Sequence, residues 1–319
     1  MAAAIKTIVV GFNGFERGET LPRLATLLAE EHGAALRVVH VAPEPPKDSW
    51  WRSNDEAIAA YQAELEAKRG RLEQLLATPE KHGLDATAVI RTGTPHVEIV
   101  REVLEADADL LLVADEPMRR RSGRGFATVT MKLLRTCPCP VLAKRDPRKY
   151  RHRSILAALD LGVGPDHAPE QNREILELAA SLTKRADGTL TVFHAWYLWG
   201  EHLMSGRAGM SVDEVHQLVE NTRLERERAA QAIIDNSDLA GVEPGLELVK
   251  GEARQLLPEL VDRDKIDLVV MGTVCRTGLK GLLMGNTAER ILNELSCSVL
   301  AIKPAGFQCP IEASSEQQH

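Results

Sequence analysis

Aromatic side chains are scarce: Phe, Trp and Tyr make up 4% of the 319 residues. The core must therefore be built from Val, Leu, Ile and Ala, which suits buried parallel strands covered by helices. Long apolar runs are missing too. None approaches the roughly 20 residues that cross a bilayer, and the opening MAAAIKTIVVGFNG lacks the layout of a secretion signal. No membrane partner is expected. The five cysteines, Cys137, Cys139, Cys275, Cys297 and Cys309, form neither a disulfide framework nor a C-x-x-C pair. That usage fits a reducing cytoplasm. Basic charge is not in excess. A net charge of −7 argues against nucleic acid or an anionic surface as a partner.

The chain does contain a repeat of itself. ADLLLVADEP, from Ala108, resembles IDLVVMGTVC, from Ile266, and CPVLAKR resembles CSVLAIK. Asp109 to Asp267 and Cys139 to Cys297 are the same step of 158 residues, and so is Gly93 to Gly251. The step shrinks upstream, to 154 for VVHV against VFHA and 147 for TIVVGFN against SILAALD, so the second copy has longer loops. A constant step over the last third of each copy marks a duplicated unit. The expected division is a first domain over 1–146, a second over 151–305 and a polar, mobile tail over 306–319.

Within the first copy, strands are expected at Thr7–Phe12, Ala35–Val41, Asp85–Arg91, Leu110–Ala114 and Val141–Lys144. Helices are expected near Leu21–His32, Asn54–Leu76, His96–Glu105 and Val129–Arg135. The second copy repeats the order. Strands separated by helix-length patterns imply right-handed crossovers and a parallel sheet covered on both faces. In the second copy Ser211 and Glu214 have the spacing of a capping box at the start of a long helix.

MGTVCRTGLKGLLMGNTAER, from Met271 to Arg290, joins a strand to a helix through several glycines. A glycine loop entering a helix presents backbone N–H groups, and the helix dipole favours an anion there. The spacing is neither G-x-G-x-x-G nor the Walker pattern, so a plain structural turn is the competing reading.

This segment, the tandem layout and the ending CSVLAIKP resemble the universal stress protein family, in its tandem E-type form. The resemblance implies an α/β fold: two adenine-nucleotide α-hydrolase-like domains, each a five-stranded parallel sheet with helices on both faces, paired as an intramolecular pseudo-dimer. It also implies a cytoplasmic stress-response role. Many members hold ATP through G-x-x-G, nine residues, then G-[ST], and others hold no nucleotide; in this chain Asp160 with Asn286 would hold Mg·ATP. Carried over by position, Gly272 takes the first glycine and Gly285 the third. Cys275 replaces the second glycine, and Asn286 the hydroxyl, with Thr287 next to it. Asp160 falls where the family carboxylate meets the ribose, and Ala195 falls near the adenine. In the first copy the corresponding places hold Asn13, Ala114 and Ala127, followed by DEPMRRRSG, whose Asp115 and Glu116 would repel phosphate. The first copy is therefore expected to be a structural pseudo-repeat. Arg119, Arg120, Arg121 and Arg124 have the charge to grip an anion, and a solvated basic loop is the competing, plainer reading.

Three functions stay open at this stage. One is an adenine-nucleotide binder working through the second domain. Another is a binder of some other small or lipophilic metabolite, using Trp196, Trp199 and Met204 in FHAWYLWGEHLM as an apolar pocket. The third is a ligand-free interaction protein, either a pseudo-dimeric single chain or a homodimer. No catalytic residue and no metal ligand is assigned, and hydrolysis of ATP would at most be weak. His40 and His194, at matching strand ends, read as packed, hydrogen-bonded side chains.

Overall fold

The computed structural model describes residues 5–12, 20–81, 83–115, 125–146, 151–162, 169–206, 210–273 and 284–313. Contacts divide the chain into two compact units. One holds Ala3–Arg119, Phe126–Tyr150 and Phe307–His319, and the other is built mainly on Arg151–Gly306.

The first repeat runs β1 (Thr7–Gly11), α1 (Thr20–His32), β2 (Ala35–Ala42), α2 (Ser49–Arg52), α3 (Asp55–Lys81), β3 (Ala86–Thr92), α4 (Pro95–Glu105), β4 (Leu110–Ala114), α5 (Thr128–Thr136) and β5 (Val141–Lys144). Its strands are parallel, in the order β3-β2-β1-β4-β5. The second repeat runs β6 (Ser154–Ala158), α6 (Pro169–Ala186), β7 (Thr189–Trp196), α7 (Glu201–Gly206), α8 (Val212–Asp235), β8 (Gly245–Lys250), α9 (Ala253–Asp264), β9 (Leu268–Gly272), α10 (Asn286–Glu294) and β10 (Ser298–Ile302). Its parallel order is β10-β9-β6-β7-β8.

The central strands are unbroken apolar runs because both faces are covered. Leu110 to Val113 and Leu268 to Met271 are all buried. Glycine is required where backbones cross closely. A Cβ on Gly188, just before β7, would lie 2.2 Å from the Arg153 carbonyl oxygen at the foot of β6. The turn into the third crossover helix uses a glycine in both repeats, Gly93 with φ +145° and Gly251 with φ +143°, a region that side chains with a Cβ rarely adopt. The capping box at Ser211 and Glu214 is formed, with Glu214 N donating to Ser211 Oγ and Ser211 N donating to Glu214 Oε2.

Three features depart from the sequence reading. The short helix α7 was not expected. Nor was the short helix α2. It exists because the Asp48 carboxylate caps it, accepting from Trp51 N at 2.8 Å. The tail, expected to be mobile, packs instead into the unit of the first repeat over residues 307–313. Cys309 Sγ donates to the Thr136 carbonyl at 3.3 Å. That carbonyl is at the C-terminus of α5, where the helix itself leaves acceptors unused.

Candidate functional site at the carboxyl end of the second sheet

In both sheets the strand order reverses between the first and fourth strands. That is where open α/β sheets form a ligand crevice. In the second repeat the crevice lies between β6 and β9, paired from Ile155 with Leu268 to Ala158 with Met271. Asp160 follows β6, and Gly272 ends β9.

The chain beyond β6 is held by its backbone. Asn172, fully buried on α6, accepts from Asp160 N (3.1 Å) and donates to the Asp160 carbonyl (2.8 Å). The Asp160 side chain is exposed, and its Oδ1 accepts from Gly162 N at 3.1 Å. His194 Nδ1 lies 3.0 Å from the Leu159 carbonyl. At that distance the ring nitrogen is a donor, so the Nδ1–H tautomer is favoured. Burial pushes the imidazole below its usual value. The Leu159 carbonyl and the Asp160 charge oppose that shift, and Arg226 reinforces it. His40 repeats the arrangement, with Nδ1 2.9 Å from the Phe12 carbonyl and its titration also lowered by burial. Both histidines are packed side chains holding a strand end, as the sequence suggested.

On the β9 side, Gly272 leaves room for a neighbour. A Cβ there would lie 3.0 Å from Gln171 Nε2. Thr273 is fully buried. Its carbonyl accepts from Gly285 N (3.1 Å), and its hydroxyl accepts from Lys303 Nζ (2.8 Å). Gly285 is the N-cap of α10, in extended backbone (φ −65°, ψ 140°), with no side-chain cap. Asn286 and Thr287 follow as exposed residues. The first-turn amides of α10 have no acceptor within the helix, and its dipole places positive potential at that end.

The first repeat treats the same place differently. Asp115, 2% exposed, sends Oδ1 to Ala127 N (2.8 Å) and Oδ2 to Arg145 Nη1 (2.8 Å). The Arg145 guanidinium also lies 4.7 Å from the centre of the Phe126 ring. Asp115, Ala127 and Arg145 each stand 158 residues before Thr273, Gly285 and Lys303. The N-cap amide of α5 thus meets a side-chain carboxylate, where that of α10 meets a backbone carbonyl.

The sequence profile of the universal stress protein family matches residues 4–145 and again 152–303. The chain belongs to the universal stress protein family. It is similar to Universal stress protein E of Photorhabdus laumondii, 27% identical over 242 residues and covering 72% of each chain. Against Universal stress protein E of Escherichia coli K12 it is 26% identical over 236 residues, covering 72% of this chain and 71% of that one. Among solved structures, a functionally unknown protein of Pseudomonas aeruginosa PAO1 aligns with a TM-score of 0.71 at 25% identity, covering 94% of this chain and 93% of the other. A putative universal stress protein of Pseudomonas aeruginosa UCBPP-PA14 aligns at 0.70 and 26%, covering 94% of each. The tandem α/β architecture is that of E-type universal stress proteins.

Of the residues singled out from the family pattern, Asp160, Gly272, Gly285, Asn286 and Thr287 flank the crevice or enter α10. Ala195 is one residue before the end of β7, in register with Val249. Cys275 lies outside the described residues, as do Asn13, Glu116, Arg119, Arg120, Arg121 and Arg124. The aromatic segment splits. Trp196 is 5% exposed, and its Nε1 has no hydrogen-bond partner among the described residues, whereas Trp199 is 77% exposed. Met204, on α7, is half-buried, with its methyl group 3.8 Å from where a Cβ on Gly200 would stand. An indole as exposed as that of Trp199 does not wall a closed apolar cavity. Sequence reasoning missed Asn172, Thr273 and Lys303. Thr273 and Lys303 were findable by setting them against Asp115 and Arg145 at the 158-residue step.

Proposed function

We propose that this universal stress protein is a cytoplasmic, adenine-nucleotide-binding stress-response protein whose second repeat alone holds ATP. The observation that carries the reading is the contrast between the two helix entries. α10 begins at Gly285 over a neutral Thr273, while α5 begins over the Asp115 carboxylate. Phosphate groups fit the first-turn amides of α10. Asp160, exposed at the end of β6 with its backbone clamped by Asn172, fits a ribose hydroxyl as acceptor. Gly272 makes room for the Gln171 side chain, and Gly285 brings no side chain of its own to the entry of α10. Mg would enter with the phosphates and neutralise part of their charge. The proposed role is binding, with at most weak hydrolysis of ATP.

The ligand-binding reading is tested by titrating the protein with Mg·ATP in a calorimeter, for the parent chain and for Gly285→Leu. Binding that is lost in the variant while its thermal melt is kept supports it. Equal affinity in the two would end it.

A second reading keeps the same domain but a different ligand. The buried Trp196 indole N–H without a described partner favours it, because an orphaned buried donor costs of order 1–3 kcal/mol unless an acceptor from water or a ligand meets it. Tryptophan fluorescence followed during addition of ATP, and separately of an acyl compound, separates the two readings. The tandem layout fits an internal pseudo-dimer, so the chain is expected to run as a single copy in native mass spectrometry.

A further inference from the structure

We propose that the residue under the helix entry, Asp115 in the first repeat and Thr273 in the second, decides which repeat accepts an external phosphate, Asp115 acting as a built-in anion that shuts its own site. This rests on the reading of the second repeat as the nucleotide site and names what makes it selective between two otherwise duplicated folds.

The geometry is specific. The two positions stand immediately after matching strands, β4 and β9, and each makes a hydrogen bond to the amide of the N-cap residue of the next helix. The first repeat makes that bond with a carboxylate oxygen, Asp115 Oδ1 on Ala127 N at 2.8 Å. The second makes it with a backbone oxygen, Thr273 O on Gly285 N at 3.1 Å. The basic residue at the end of the last strand also follows the switch. Arg145 pairs with the other Asp115 oxygen at 2.8 Å, and Lys303 Nζ meets the Thr273 hydroxyl at 2.8 Å. Asp115 is thereby fixed on both oxygens and almost fully buried. The carboxylate takes up the amide at the entry of α5, and with Arg145 beside it forms a neutral pair that leaves no net positive charge there for a second anion. The second repeat has a neutral Thr273 at the matching position, with Lys303 on its hydroxyl, so its helix entry still favours an incoming phosphate group. The chemistry recognised is a phosphate, either on a nucleotide or free.

A reciprocal exchange tests this. Thr273→Asp copies the first repeat into the second. Asp115→Thr with Arg145→Lys copies the second into the first, replacing the ion pair by the hydroxyl–ammonium contact that Thr273 and Lys303 make. Circular dichroism melts confirm that each variant folds. Native mass spectrometry and calorimetry then count bound Mg·ATP and, in a separate arm, inorganic phosphate. The expected result is one ATP on the parent chain, ATP affinity in Thr273→Asp weakened about tenfold or more, and a second anion gained by the Asp115→Thr/Arg145→Lys chain. Gain of phosphate without gain of ATP in that chain still supports the switch and restricts it to the phosphate subsite. A parent chain that binds one ATP, with neither variant altering the count or the affinity, overturns the inference and leaves the nucleotide reading intact. A parent chain that binds neither ATP nor phosphate overturns the nucleotide reading and this inference with it.

Discussion

Asn172 grips Asp160 by its backbone from both sides, Oδ1 on the amide at 3.1 Å and Nδ2 on the carbonyl at 2.8 Å, and leaves the carboxylate exposed. The fold thus fixes the position of Asp160 through its backbone. Asn172→Ala removes both bonds inside a fully buried site and leaves two backbone groups unsatisfied. The expected loss of stability is about 1–3 kcal/mol, read in a urea titration. Asp160→Asn is expected to leave stability nearly unchanged and to weaken ATP binding, because the side chain faces solvent.

Gly285 is an N-cap in ordinary extended backbone, so its φ does not demand glycine. Ala127 occupies the corresponding N-cap in the first repeat with φ −62°. Gly285→Leu is therefore expected to cost the fold no more than about 1 kcal/mol. It is expected to reduce ATP affinity by at least about tenfold, or 1.4 kcal/mol. Calorimetry beside a thermal melt separates the two effects.

Two buried histidines set a pH dependence. Burial lowers the titration of His40 and His194 below the usual 6.5. The unfolded chain therefore binds more protons than the folded one as the pH falls through about 6.5, and stability rises with pH across that window. Denaturant midpoints are expected to drop as the pH falls from 7 towards the lowered folded-state values. A His40→Gln/His194→Gln variant is expected to show a shallower slope over the same range. An unchanged slope would show that these histidines are not the cause.

Thiol chemistry should sort by burial. Cys137 and Cys139 lie side by side in the core, with sulfurs 3.6 Å apart, and the hydrogen bond with Cys137, together with burial, pushes the Cys139 thiol well up. Cys309 is only partly buried. Of Cys137, Cys139, Cys297 and Cys309, Cys309 is expected to react first with a thiol-alkylating reagent on the native protein, as read by peptide mapping. Early modification of Cys139 would contradict the packing described.

The second-ligand reading stands on one donor, Trp196 Nε1. Trp196→Phe removes an indole N–H that has no partner among the described residues while keeping most of the apolar contact. If a ligand supplies the acceptor, the variant is expected to bind it more weakly and, without ligand, to be no less stable than the parent by more than about 1 kcal/mol. A ligand affinity that does not change would remove Trp196 from any site.

The strands and most helices were legible because they rest on local signals: apolar runs such as Leu110 to Val113, caps such as Ser211 with Glu214, and a repeat that reports every element twice. α2 was not legible, because one capping carboxylate, Asp48, decides a single turn of helix. The packing of the tail was hidden as well. It depends on a thiol reaching a helix end 173 residues earlier, a distance over which periodicity carries no information. At the site, Gly272, Gly285 and Asp160 came from the family pattern. Asn172 could not be found that way, since its role is to hold a backbone and any buried Asn looks alike in sequence. The Asp115–Arg145 pair was half legible. Its acidity was noticed as a repulsion, but its closure onto the amide of Ala127 needed the structure.

The most direct test of the central claim is the number of ATP molecules held per chain, counted by native mass spectrometry in the presence of Mg·ATP and repeated on Gly285→Leu. One nucleotide on the parent and none on the variant is the expected result. Two on the parent, or one that survives the substitution, would contradict a single site at α10 of the second repeat.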